Sequence, residues 1–385
     1  MPSDRRLVRD ITRLARKQLG GKTEVRFDQA TDALFIGEAR VQLGNIRRVW
    51  SQLGSAERSE WLAGVVANLA QPSPIPEVLN DTSSLRFGLR SRTFVEATRL
   101  MSMAKGSDPV PTVHRPLFPA LVQVLLWDTP TTMATVTRDA AAGWGRSDEE
   151  LFDIAGRNIA ALPRLGFAAI GDKVFSLINN DDYDSSRLLV DDVLAELPLT
   201  GDLIGCIPTR NTLIVAAADD EEAVRIACEL ALSTTDDTPV FKHPLVRRDG
   251  EWALLDLDPE HPAYRPWRSL VCTEHAEAAN NIQQLVQSIV GEEVFVASVM
   301  LRENVATGHA ETVCAWTQDV PTLLPETDRV GFVTRDGKAL VADAPWDLVR
   351  ATVGDLMEPT NHYPARWRVS GFPTAAQLSE LAGPG

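Results

Sequence analysis

Cysteine is scarce in this chain of 385 residues: Cys206, Cys228, Cys272 and Cys314 stand far apart and form no CxxC pair. Such spacing excludes a zinc knuckle or a redox dithiol and predicts buried free thiols, as in a reducing compartment. Long apolar runs are absent too, with nothing near the roughly 18 residues that span a bilayer. The opening Met-Pro-Ser-Asp-Arg-Arg lacks the apolar stretch of a secretory signal. No GxSxG, HExxH or GxGxxG occurs, and His114, His243, His261, His275, His309 and His362 show no metal-ligand spacing. These absences predict a cytoplasmic protein with no metal centre and no cofactor.

Positive charge is also short, 38 basic groups against 53 acidic for a net charge of −15. A phosphate backbone is held by a positive field, so nucleic acid is not the expected partner. An acidic surface suits a basic protein instead. The charge is uneven: residues 1–50 carry eleven basic and six acidic groups, residues 251–385 nine and nineteen.

What is present begins with an amphipathic basic helix, in which Leu7, Ile11, Leu14 and Leu19 fall on one stripe between Arg5, Arg6, Arg9, Arg13, Arg16 and Lys17. Gly20-Gly21 stops it, and extended segments at 24–27 and 33–36 follow. Packing on a sheet is expected, not stable membrane association. Gly20-Gly21-Lys22-Thr23 is not a phosphate loop, because the first glycine of that motif would fall at Arg16 and the order runs helix to strand.

Residues 40–70 return to helical spacing, and Pro72, Pro74 and Pro76 mark a connector. Strands are predicted at 85–95, 121–127 and 133–138, and a helix at 148–162 with Ser147 and Glu150 as its capping box. A strand at 174–178 leads into a polar run, then a helix through Leu189, Val193 and Leu197. A hairpin at 203–207 and 212–216 precedes a helix at 219–232. After residue 250 come a helix at 274–290, strands at 294–301, 311–317 and 329–333, and helices at 346–357 and 375–381.

The fold class is therefore α+β: two mixed units with mostly antiparallel sheets flanked by helices. The first unit is placed at 1–250, with a small α/β piece at 1–72 and a main part at 78–250. The second, 251–385, is acidic and holds five of the nine tryptophans, Trp252, Trp267, Trp316, Trp346 and Trp367.

The polar run Asn179-Asn180-Asp181-Asp182-Tyr183-Asp184-Ser185-Ser186-Arg187 sits at a strand-to-helix junction. Its oxygen ligands suit a divalent cation, although the spacing fits no EF-hand; alternatively one aspartate caps the following helix and Arg187 pairs locally. A nucleophilic pair of Cys206 and His243 depends on tertiary geometry alone.

Three pieces together resemble the YtpQ family of uncharacterised bacterial proteins: Gly143-Trp144-Gly145 with residues 155–163 (AGRNIAALP), residues 175–188 (FSLINNDDYDSSRL), and residues 205–216 (GCIPTRNTLIVA). The resemblance covers roughly residues 20–250, with Asp182 where that family usually has glycine. It implies a bacterial cytosolic α+β protein and assigns no chemistry.

Two functions follow. The first is a non-enzymatic protein-binding module, adaptor or immunity-like, marked by an exposed apolar patch with tryptophan and an acidic rim. The alternative is a ligand- or metal-binding enzyme built on Trp144, Arg157, Asn158, Asn180, Asp181, Tyr183, Asp184, Ser186 and Arg187. In that reading the carboxylates do acid–base or metal chemistry and an arginine holds an anion.

Overall fold

The first helix, Pro2–Gln18, turns Leu7, Ile11 and Ala15 to one side, and these pack with Leu34, Leu43, Leu62 and Val66 into a core that excludes water. Hydrophobic burial of that stripe, not helix propensity, fixes its position, since arginines fill the remaining faces. The computed structural model describes residues 2–21, 24–28, 33–36, 39–43, 46–47, 50, 53–68, 75–129, 132–179, 181–235 and 238–382. Of the expected site residues, Asn180 lies outside them. Among the described residues no helix is long and apolar enough to cross a membrane.

The chain divides into two compact units, Met1–Phe87 with Leu125–Asn158, and Gly88–Val124 with Ile159–Gly385. In the first, strands Val25–Asp28, Ala33–Ile36 and Ala39–Gln42 form an antiparallel sheet beside helix Ser55–Asn68. Thr137 caps Arg138–Ala142 through the Ala140 N–H. Ser147 and Glu150 form the predicted reciprocal cap, with Glu150 N–H on Ser147 Oγ at 3.2 Å and Ser147 N–H on Glu150 Oε2 at 2.8 Å.

The second unit is organised by a six-stranded antiparallel sheet in the order Glu251–Leu254, Pro239–Arg248, Leu203–Thr209, Leu213–Ala217, Val174–Leu177, Ala168–Ala169. Helices Glu221–Ser233 and Tyr264–Asn281 bury its one face, with Ile204, Ile214, Ala227, Val246, Trp267 and Leu270 in a single core. Both faces are covered at Leu203–Thr209, every residue of which is buried. Pro244 sits inside a paired strand because the register slips there: Gly205 faces Leu245 while Ile207 faces Phe241. Such an irregularity is where a residue without an N–H is tolerated.

Two four-stranded sheets follow, of mixed but mostly antiparallel pairing, around Trp316, Leu324, Phe332, Trp346, Val349 and Val369. The α+β class thus holds. Residue 250, where the composition shifts, lies in a hairpin: Asp249 (φ 51°) and Gly250 (φ 85°) join strands Pro239–Arg248 and Glu251–Leu254. Asp-Gly with two positive φ values is the tight turn that matches strand twist. The core under the sheet runs on through Leu255, Trp267 and Leu270. The tryptophans that mark the C-terminal sequence are largely core, Trp267, Trp316 and Trp346 being buried.

Candidate functional site

The polar run after strand Val174–Leu177 closes on itself. Arg187, with no exposed surface, donates from Nη1 and Nη2 to the two oxygens of Asp181 at 2.9 and 2.6 Å, and from Nη1 to Asp184 Oδ1 at 3.0 Å. Asp184, equally buried, also accepts from the Asn179 N–H at 2.7 Å and Asn179 Nδ2 at 2.6 Å. Asp181 Oδ1 accepts from the Tyr183 N–H at 3.0 Å. A planar guanidinium suits this two-pronged grip, and breaking a buried pair of this kind leaves an uncompensated charge.

The run is stitched to the hairpin turn of the neighbouring strands. Asp182 takes the left-handed conformation (φ 68°), so the turn that glycine would favour persists, held by the Asp182 N–H on Asn211 Oδ1 at 2.8 Å. The Ser185 N–H donates to Arg210 O at 3.0 Å, and Ser186 Oγ accepts the Leu89 N–H at 3.3 Å. Sequence reasoning missed three members, Arg90, Arg210 and Asn211, which become neighbours only through tertiary folding. Burial, with Arg210 beside it and Asp182 and Tyr183 opposing, pushes the Arg90 guanidinium down to about 9.

Of the predicted site residues, Asp181, Tyr183, Asp184, Ser186 and Arg187 come together. Trp144, Arg157 and Asn158 belong to the first unit. There Trp144 Nε1 donates to Pro76 O at 2.9 Å, Asn158 Nδ2 donates to Thr82 O and Leu85 O at 2.6 and 2.9 Å, and Arg157 is exposed. A guanidinium without exposed surface reaches no ligand, and the two carboxylates that hold it are engaged. Cys206 and His243 form no nucleophilic pair. A bond with Cys228, together with burial, pushes the Cys206 thiol up, and His243 Nε2 sits on Leu255 O at 2.8 Å, its ring stacked on Phe241.

What the closed network does is position the short turn of helix Ser185–Leu189. Leu188 and Leu189 project from it to line an apolar groove of about 230 Å³ with Leu117, Phe118, Leu121, Leu245 and Trp252, and Glu251 is on its rim. Gly205 makes that approach possible: a Cβ there would lie 2.5 Å from Leu188 Cδ1 and 2.9 Å from the Trp252 ring. The groove borders Glu251–Leu254, the edge strand of the sheet, on which Leu254 is exposed. Among the described residues this strand pairs on one side only.

Part of the chain is similar to a UPF0354 protein of Listeria monocytogenes serotype 4a (strain HCC23), 28% identical over 109 residues. The match covers 27% of this chain and 41% of that relative, so the chain spans less than half of the relative's length. That likeness connects the chain to an uncharacterised family. No family model matches it. No solved structure matches it either.

Proposed function

We propose that the chain is a YtpQ-like cytoplasmic bacterial protein that works as a non-enzymatic protein-binding module, adaptor or immunity-like, accepting an extended segment of a partner along the edge strand Glu251–Leu254. The single observation that supports this reading is the apolar groove of about 230 Å³, with Trp252 in its wall, next to that edge. An unpaired edge offers backbone donors and acceptors to an added strand, while alternate side chains of that strand drop into the pocket beside it. Glu251 on the rim and the net charge of −15 favour a segment with basic residues flanking its apolar ones.

The test is selection of random displayed peptides against the full chain, followed by titration of the enriched peptides against Leu189→Arg and Leu254→Lys. The expected result is peptides with apolar residues at alternate positions that bind at least tenfold more weakly to either variant. Enrichment of no peptide, or binding that neither variant weakens, would overturn the proposal.

A further inference from the structure

In the first unit, a cleft of about 470 Å³ opens between helices Pro2–Gln18 and Ser55–Asn68. Arg6, Arg9 and Arg13 line it from the first helix, at the i, i+3, i+7 spacing that stacks side chains on one face, and Arg58 lines it from the second. Asp10 is the one carboxylate among the described lining residues. Its oxygens stand 3.9 Å from Arg6 Nε, 4.0 Å from Arg9 Nε and 3.7 Å from Arg13 Nη2. Each separation is ion-pair distance and beyond hydrogen-bond distance, so Asp10 offsets charge without using up the donors of these largely exposed guanidiniums. Arg58 is fixed differently, its Nε on Trp50 O at 2.7 Å and its guanidinium stacked 4.4 Å over the Trp50 ring.

Three arginines sharing one carboxylate repel one another along the helix, and a bound polyanion relieves that repulsion. Guanidinium is also the group that grips phosphate oxygens in pairs. We propose that this cleft binds a small molecule bearing a di- or triphosphate, with Arg6, Arg9 and Arg13 on the phosphates and Arg58, held by Trp50, closing the far wall. On the first helix, three guanidiniums against one carboxylate leave a net positive face, which suits a polyanion. The small volume of the cleft, about 470 Å³, and the strongly acidic remainder of the chain favour a compact anion over a long phosphate backbone, which requires an extended positive track.

Calorimetric titration of the full chain with inorganic tripolyphosphate tests this, beside Arg9→Gln/Arg13→Gln and a control pair on the same helix outside the cleft, Arg16→Gln/Lys17→Gln. The expected result is one site per chain, weakened at least tenfold by the first pair, changed less than twofold by the control, and weakened by added salt. Absence of saturable binding would overturn the proposal, as would equal weakening by the two pairs. A single-stranded oligonucleotide or anionic lipid vesicles binding where tripolyphosphate does not would assign the arginines to a different partner and overturn it as well.

Discussion

Arg187 and Asp181 meet through two parallel hydrogen bonds, 2.9 and 2.6 Å long, with the arginine fully buried and the aspartate still partly exposed. The guanidinium therefore has its charge answered from the solvent side by Asp181 and from inside by Asp184. Removing it by Arg187→Met leaves the Asp184 carboxylate buried without the guanidinium that answers its charge, a change of the kind that costs about 3–5 kcal/mol. Urea unfolding should show that loss, and adding Asp184→Asn should recover part of it by removing the stranded charge. Equal stability of the Arg187→Met variant and the wild type would mean that the network does not hold this turn.

Gly205 carries the complementary prediction on the apolar side. Gly205→Ala places a methyl group where Leu188 Cδ1 and the Trp252 ring already sit, and overpacking of this kind costs about 1–3 kcal/mol. Leu188→Ala makes room for it, so the double variant should be more stable than the sum of the two single losses. A double-mutant cycle by chemical denaturation measures the coupling; strict additivity would show that the close approach carries no strain.

Local signals made much of this architecture legible. The strand Arg329–Val333, the helix Ala375–Leu381 and the cap at Ser147 stand where spacing and capping chemistry put them. Other elements were hidden because their residues argue locally against them. Thr93 and Val95 carried the predicted strand 85–95 past Ser91, where it ends, into the first turn of the helix Arg92–Ala104. Pro266 lies in the first turn of Tyr264–Asn281, where proline is tolerated, yet it argues locally against a helix, which was expected to start only at 274. The polar run was visible as a cluster. Its closure on Asn211 and Arg210 was not, since the pairing spans 29 residues between Asp182 and Asn211 and depends on the hairpin's place in the sheet.

Glu274 makes stability depend on pH. Burial pushes its carboxyl from 4.5 up to about 7, with the Glu277 charge adding to the rise and the Lys242 N–H, 2.7 Å from Glu274 Oε2, opposing it. Between these two values the folded chain keeps a proton that the unfolded chain has lost. The stabilising contribution is therefore complete below about pH 4.5 and falls as pH rises through about 7. Because the side chain keeps some exposure, Glu274→Gln should gain only about 1 kcal/mol over wild type at pH 8, with no gain at pH 4. Denaturation at both values checks this, and a gain of the same size at pH 4 would assign the effect to something other than ionisation.

Cutting the chain at residue 250 tests whether composition or packing marks the division. The cut removes the edge strand Glu251–Leu254 and takes Leu255, Trp267 and Leu270 out of the core they share with Ile204, Ile214 and Ala227. Buried side chains of this size contribute about 1.5–3 kcal/mol each, and a domain's whole stability is about 5–15 kcal/mol. Residues 1–250 alone should therefore aggregate or unfold without a sharp transition, and limited proteolysis should degrade them throughout. A soluble fragment with a cooperative thermal transition would show instead that the sheet is complete without its edge strand and the Tyr264–Asn281 helix. In that case the groove wall supplied by Trp252 would be an addition to a unit that already stands by itself.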